Sequence, residues 1–168
     1  MLTITVLAVL VTIGVPAMQD LLARNRVKMA AQALADDLQW ARGETIRRNR
    51  ELYLTIDSDA WCYGVAEIQG CDCRLTDPSD GSACALRTAD QPVLKTVSGA
   101  AFPGVRVTQT SFGGHPAWAR FEPRRATARA GSLTFASDQG AELKVVLSLL
   151  GRVRLCSPQG SVPGYPPC

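Results

Sequence analysis

Arg152 and Arg154 stand two residues apart in Gly151-Arg152-Val153-Arg154, inside a short stretch that reads as a strand running to Cys156. Side chains two apart on a strand share a face, so the two guanidiniums are expected side by side, with Val153 and Leu155 facing the core. Each guanidinium can grip a phosphate through two parallel hydrogen bonds, which a lysine does less well. Gly151 permits a turn and a close backbone approach. A second run, Ala119 to Arg129, carries Arg120, Arg124, Arg125 and Arg129 with one acid, Glu122. If that piece is helical, Arg125 and Arg129 share a face. The chemistry of both groups is contact with a polyanion backbone, independent of sequence and sensitive to salt. The competing reading is a solvated basic surface.

Other chemistry is thinly represented. The chain has one histidine, His115, in Phe112-Gly113-Gly114-His115-Pro116, which reads as a turn. It contains no nucleophile-elbow pattern, no phosphate-binding loop and no metal-ligand cluster, so neither an enzyme nor a cofactor nor a metal is expected. Asp72, Asp77 and Asp80 lack the ordered spacing of a calcium loop and read as solvated loop residues. Trp61 and Trp118 read as core residues rather than base-stacking platforms, unless Trp118 proves exposed beside Arg120.

These groups are carried by a chain of uneven charge. Net charge is +3 over 168 residues, yet residues 51–100 hold three basic and eight acidic groups, and residues 101–168 hold eight and three. An acidic middle and a basic end imply a polar surface patch. Six cysteines, Cys62, Cys71, Cys73, Cys84, Cys156 and Cys168, favour disulfides in an oxidising compartment over zinc. Cys156 with Cys168 would close a loop over the C-terminal residues. The other four leave three connectivities open.

The first ionisable side chain is Asp20, so residues 1–18 form an apolar stem. At about 1.5 Å rise per residue it is just long enough for a bilayer core. No basic residue precedes it and no small-x-small cleavage site follows, which disfavours a secretory signal peptide. Residues 19–50 are expected to continue as one amphipathic helix, burying Leu22, Val27, Ala30, Ala31, Leu34, Leu38, Ala41 and Ile46. Pro16 would kink this rod rather than end it. Arg24, Arg26 and Lys28 suit lipid headgroups or a neighbouring subunit.

Residues 51–168 form the head. Strands are expected at 52–56, 61–68, 93–97 and 105–110, then a hairpin of 131–135 and 141–148 around the turn Ser137-Asp138-Gln139-Gly140. Leu143, Val145 and Leu147 fall on one face. The fold class is α+β, one long helix on an antiparallel sheet.

This order, with the stem Leu2 to Pro16, Trp61-x-x-Gly64, Gly131-x-Leu-x-Phe135, Gly140 and Gly151-Arg152-Val153-Arg154, resembles the type IV pilins and pseudopilins, and among them the GspH/FimT group. The Gly-Arg-x-Arg element is most similar to the FimT-like minor pilins. The resemblance implies a pilin fold with a C-terminal cysteine loop and a transmembrane stem that packs with other pilins in a fibre. It implies an inner-membrane protein with its head in the periplasm or at the cell surface. It further implies that Arg152 and Arg154 belong to a surface that binds double-stranded DNA during natural transformation. The same resemblance allows a structural pseudopilin of a type II secretion system, or a minor pilin that primes pilus assembly without a ligand. The basic leader, glycine and methylated cleavage motif of such proteins are not in the sequence, as expected of a start placed late or a trimmed chain.

Overall fold

The computed structural model describes residues 2–125 and 127–168, with side chains from residue 18 onward. A single helix, α1 (Leu2–Arg48), continues through Pro16 and carries the head. The membrane-stem expectation for residues 1–18 falls almost wholly on side chains outside those described. Among the described residues no helix is long and apolar enough to cross a membrane.

From residue 23 onward α1 lies on the head with Ala23, Val27, Ala30, Ala31, Leu34, Ala35, Leu38 and Ala41 buried. The stripe is richer in alanine than expected, and Leu22 and Ile46 at its margins are exposed. Alanine's single methyl lets helix and sheet pack close together, which leaves the flanking large residues outside. The helix ends in a Schellman turn. Asn49, in the left-handed region at φ 52°, donates its N–H to the Ile46 carbonyl, and Arg50 donates to the Thr45 carbonyl, both at 3.3 Å.

Arg47 and Arg48 in the last turn complement the helix dipole and converge on Glu44, with Arg47 Nε donating to Glu44 Oε2 at 2.8 Å. The Arg47 hydrogen bond, opposed by burial and assisted by Arg48, holds the Glu44 carboxyl at about 2 instead of 4.5. A carboxyl lowered on folding contributes stability above its unfolded value, and loses it as pH falls from about 4.5 toward 2. Because Arg47 is exposed, the contribution is about 1 kcal/mol. Thermal midpoints measured across that window should fall less steeply for Glu44→Gln than for the wild type.

Among the described residues the head holds ten strands: β1 (Leu52–Asp57), β2 (Cys62–Ala66), β3 (Ala85–Leu86), β4 (Val93–Leu94), β5 (Thr96–Ser98), β6 (Val105–Thr110), β7 (Ala117–Phe121), β8 (Gly131–Ser137), β9 (Glu142–Leu147) and β10 (Val153–Cys156). They form two four-stranded sheets, in the orders β5-β2-β1-β7 and β10-β9-β8-β6, with β3-β4 as a separate ribbon. The expected α+β arrangement, one long helix on antiparallel strands, is present, with the strands divided between two sheets. The expected 93–97 strand is likewise split at Lys95 into β4 and β5. Trp61 ties the sheets together: its indole N–H donates to the Val105 carbonyl at 2.6 Å, and its ring packs on Phe102 and Phe135.

Three disulfides are present, Cys62–Cys73, Cys71–Cys84 and Cys156–Cys168. The last closes a loop that returns to the helix, where Gln32 Nε2 donates to the Tyr165 hydroxyl at 2.9 Å. Asp72, Asp77 and Asp80 cap local turns by accepting the N–H groups of Arg74, Ser79 and Ser82.

Candidate nucleic-acid interface

β10 is the edge of the second sheet, where Val153 pairs with Leu147 and Arg154 with Val146. The turn before it closes through the Gly151 N–H to the Ser148 carbonyl at 2.9 Å, and Gly151 sits at φ 69°, where a side chain would strain the backbone. Arg152 and Arg154 are exposed, while Val153 and Leu155 pack on the core. The same-face expectation holds. Across an open groove from Gly151–Arg154 lie Gln39, Arg42, Gly43 and Ile46 of α1. Arg42 thus joins this basic surface from a distant part of the sequence.

Among its described residues the 119–129 run is not helical, which corrects the face that Arg125 and Arg129 would share on a helix. Ala117, Ala119 and Phe121 are buried alternately with half-buried Trp118 and Arg120, the two-residue period of a strand, and Pro123 is unsuited to a helix interior. The chain turns at Pro123–Arg125 and comes back antiparallel: the Glu122 backbone N–H donates to the Thr127 carbonyl and the Arg129 backbone N–H to the Arg120 carbonyl, both at 2.9 Å. Arg124 and Arg125 are exposed on that turn. Arg120 is held by Glu122 at 2.6 Å. Arg129 lies over the Trp118 ring, 4.0 Å from its centre.

The two basic segments meet. The Ala128 N–H donates to the Leu149 carbonyl at 2.9 Å, and Leu149 lines the groove shared by Trp118, Arg120, Glu122, Thr127 and Arg129. Two residues further on begins the Gly151–Arg154 element. Leu149 and Leu150 are 67% and 63% exposed, so an apolar ridge runs between the cationic groups. Among the described residues no carboxylate pairs with Arg124, Arg125, Arg129, Arg152 or Arg154, whereas Arg47, Arg48, Arg50, Arg74 and Arg106 all have acidic partners.

Asp57, Asp59, Asp72, Arg74 and His115 line a separate cleft that reaches Gly114, beside Trp118. Its carboxylates serve local structure: Asp57 accepts the Asp59 and Ala60 N–H groups, and the Arg74 guanidinium holds the Asp72 carboxyl below its usual range. Among the described residues no group of three or more His, Cys, Asp or Glu side chains could hold a metal ion.

Residues 30–151 match the family model described as type II transport protein GspH. The chain belongs to this family. Solved structures share the fold, among them a pseudopilin and a pilin. The minor pseudopilin EpsH from the Vibrio cholerae type 2 secretion system aligns with a TM-score of 0.57 at 14% identity, covering 79% of this chain and 98% of its own. The Pseudomonas aeruginosa type IV minor pilin FimU aligns at 0.54 and 16%, covering 84% and 96%. Comparison with curated proteins gives no match. The GspH-family chain thus has pilin-like architecture, and its likeness extends to pilins and pseudopilins alike.

Proposed function

We propose that this minor pilin-like protein is a fibre subunit whose head binds double-stranded DNA through the arginines meeting at Leu149, and that it serves DNA uptake. The observation that carries this reading is the gathering of Arg124, Arg125, Arg129, Arg152 and Arg154 without carboxylate partners among the described residues. Uncompensated guanidiniums on two adjoining edges suit a curved phosphate backbone, and none of them offers a buried pocket in which a base would be read.

The placement along the helix agrees. Arg42 and Ile46, which flank the patch, lie 24 and 28 residues beyond Met18, or about 36–42 Å along the helix axis at its usual rise. A stem in the inner membrane or a fibre core would therefore hold the patch well clear of lipid, facing the periplasm or the cell surface. Residues 1–18 would be the stem, 19–50 the helix that carries the head, and 51–168 the head.

A second reading, a structural pseudopilin of a type II secretion system, is favoured by the GspH family match itself. Titrating the full chain in detergent with a short duplex across a salt series separates the two. The DNA reading expects log affinity to fall with log salt at a slope of roughly −3 to −4.5, as for three to five phosphates engaged. No binding at low salt leaves the secretion reading in possession.

A further inference from the structure

Arg129 differs from the other arginines of the patch in being seated. Its guanidinium packs on the Trp118 indole at 4.0 Å, and the bare Gly113–Gly114 strip passes beside both. A Cβ on Gly113 would fall 2.1 Å from an Arg129 nitrogen, and one on Gly114 would fall 2.5 Å from Trp118 Nε1. The strip is fixed to the strand it covers, since the Trp118 backbone N–H donates to the Gly113 carbonyl at 3.2 Å. Tyr53 meets the indole edge-on at 5.9 Å and steadies it from the neighbouring strand. Glu122 lines the same groove but pairs with Arg120, and Arg129 itself remains exposed.

A solvated arginine needs none of this. Holding the guanidinium flat removes rotamer freedom before any ligand arrives, so less is lost when a ligand binds. The outward edge of the planar fork then presents donors suited to two oxygens of one phosphate.

We propose that Arg129 is a preorganised receptor for a backbone phosphate, separate from the Arg152–Arg154 pair, and that Trp118 and Gly113 are positioning residues that hold it. This inference rests on the DNA reading. It adds that one contact is built into the fold, while Arg152 and Arg154 adapt on an exposed edge.

The test is duplex binding by the full chain in detergent across a salt series, comparing wild type, Arg129→Gln, Arg129→Lys, Trp118→Leu, Trp118→Tyr and Trp118→Leu with Arg129→Gln. Arg129→Gln should reduce affinity roughly eight-fold at about 0.1 M salt and flatten the log–log slope by about 0.9. Arg129→Lys should restore the slope but not the full affinity, because it keeps the charge and loses the fork. Trp118→Leu should weaken binding, Trp118→Tyr should recover it, and Arg129→Gln should cost less in the Trp118→Leu background. A lysine as good as arginine, or additive effects of the two substitutions, overturns the seated receptor. An exposed Arg129→Gln that folds and leaves affinity and slope unchanged overturns it whatever the tryptophan variants do. Absence of wild-type binding defeats the DNA reading and this inference together, a result unlike any produced by the variants alone.

Discussion

Replacing Arg152 and Arg154 together by glutamine is expected to lower duplex affinity about sixty-fold at about 0.1 M salt and to flatten the log–log salt slope by about 1.8. Each phosphate neutralised contributes about 0.9 to that slope through released counterions, so freeing two phosphates at one decade below 1 M gives this factor. Glutamine keeps the length and polarity of the side chain but has no charge. The fold should be indifferent, because both side chains are exposed and the structural bonds here belong to the backbone: Arg154 pairs with Val146, and the Arg152 carbonyl accepts from Ser148 at 2.9 Å. The lysine pair at the same positions should regain most of the slope and only part of the affinity. A double variant that binds like wild type, with an unchanged thermal midpoint, removes these two residues from the site.

The β8–β9 hairpin and β10 were legible in the sequence because two signals coincide there. Leu143, Val145 and Leu147 alternate with Glu142, Lys144, Val146 and Ser148, of which only Val146 is apolar, and Ser137 to Gly140 supply turn residues at the reversal. Once β10 is an edge strand, the outward direction of Arg152 and Arg154 follows from the period alone. The 119–129 segment carried no such agreement. The strand that leads into it opens with two inward alanines, Ala117 and Ala119, whose apolar period is weak, and its return leg meets that strand through single backbone bonds at Thr127 and Arg129. Arginines four residues apart, Arg120 with Arg124 and Arg125 with Arg129, therefore mimic a helix face. Arg42 was legible as part of a helix and not as part of the site, because only closure of α1 on the second sheet brings it to Gly151–Arg154. Cys156–Cys168 was legible, but the pairing of the other four cysteines was closed to sequence reasoning for the same reason: three connectivities of Cys62, Cys71, Cys73 and Cys84 stay open on spacing, and the packing beside Gly64 decides among them.

That packing leads to the second large effect. Replacing Cys71 and Cys84 by serine should cost about 2–4 kcal/mol and loosen residues 69–92 ahead of the rest. The small buried cluster here consists of Cys62, Ala66, Cys71, Cys73 and Cys84, separate from the main core and without one large aliphatic or aromatic side chain. Cross-linking replaces hydrophobic burial in this part of the head, which follows from how little apolar area such residues can remove from water. The consequence should reach the helix by a definite route. The Cys84 carbonyl accepts the Lys95 N–H at 2.9 Å, Lys95 Nζ pairs with Asp37 of α1 at 2.5 Å, and Asp37 accepts the Tyr63 hydroxyl at 3.0 Å. Burial, reinforced by Asp37, raises the Tyr63 pKa, so this hydroxyl stays a donor at any ordinary pH. Hydrogen exchange should therefore show faster opening at residues 69–92 and at Lys95, with protection retained in β8, β9 and β10. Duplex binding should persist, since the basic surface stands on the other sheet and on the β7 edge. Uniform loss of protection across both sheets would show instead that the cysteine-bonded region and the main core unfold as one unit.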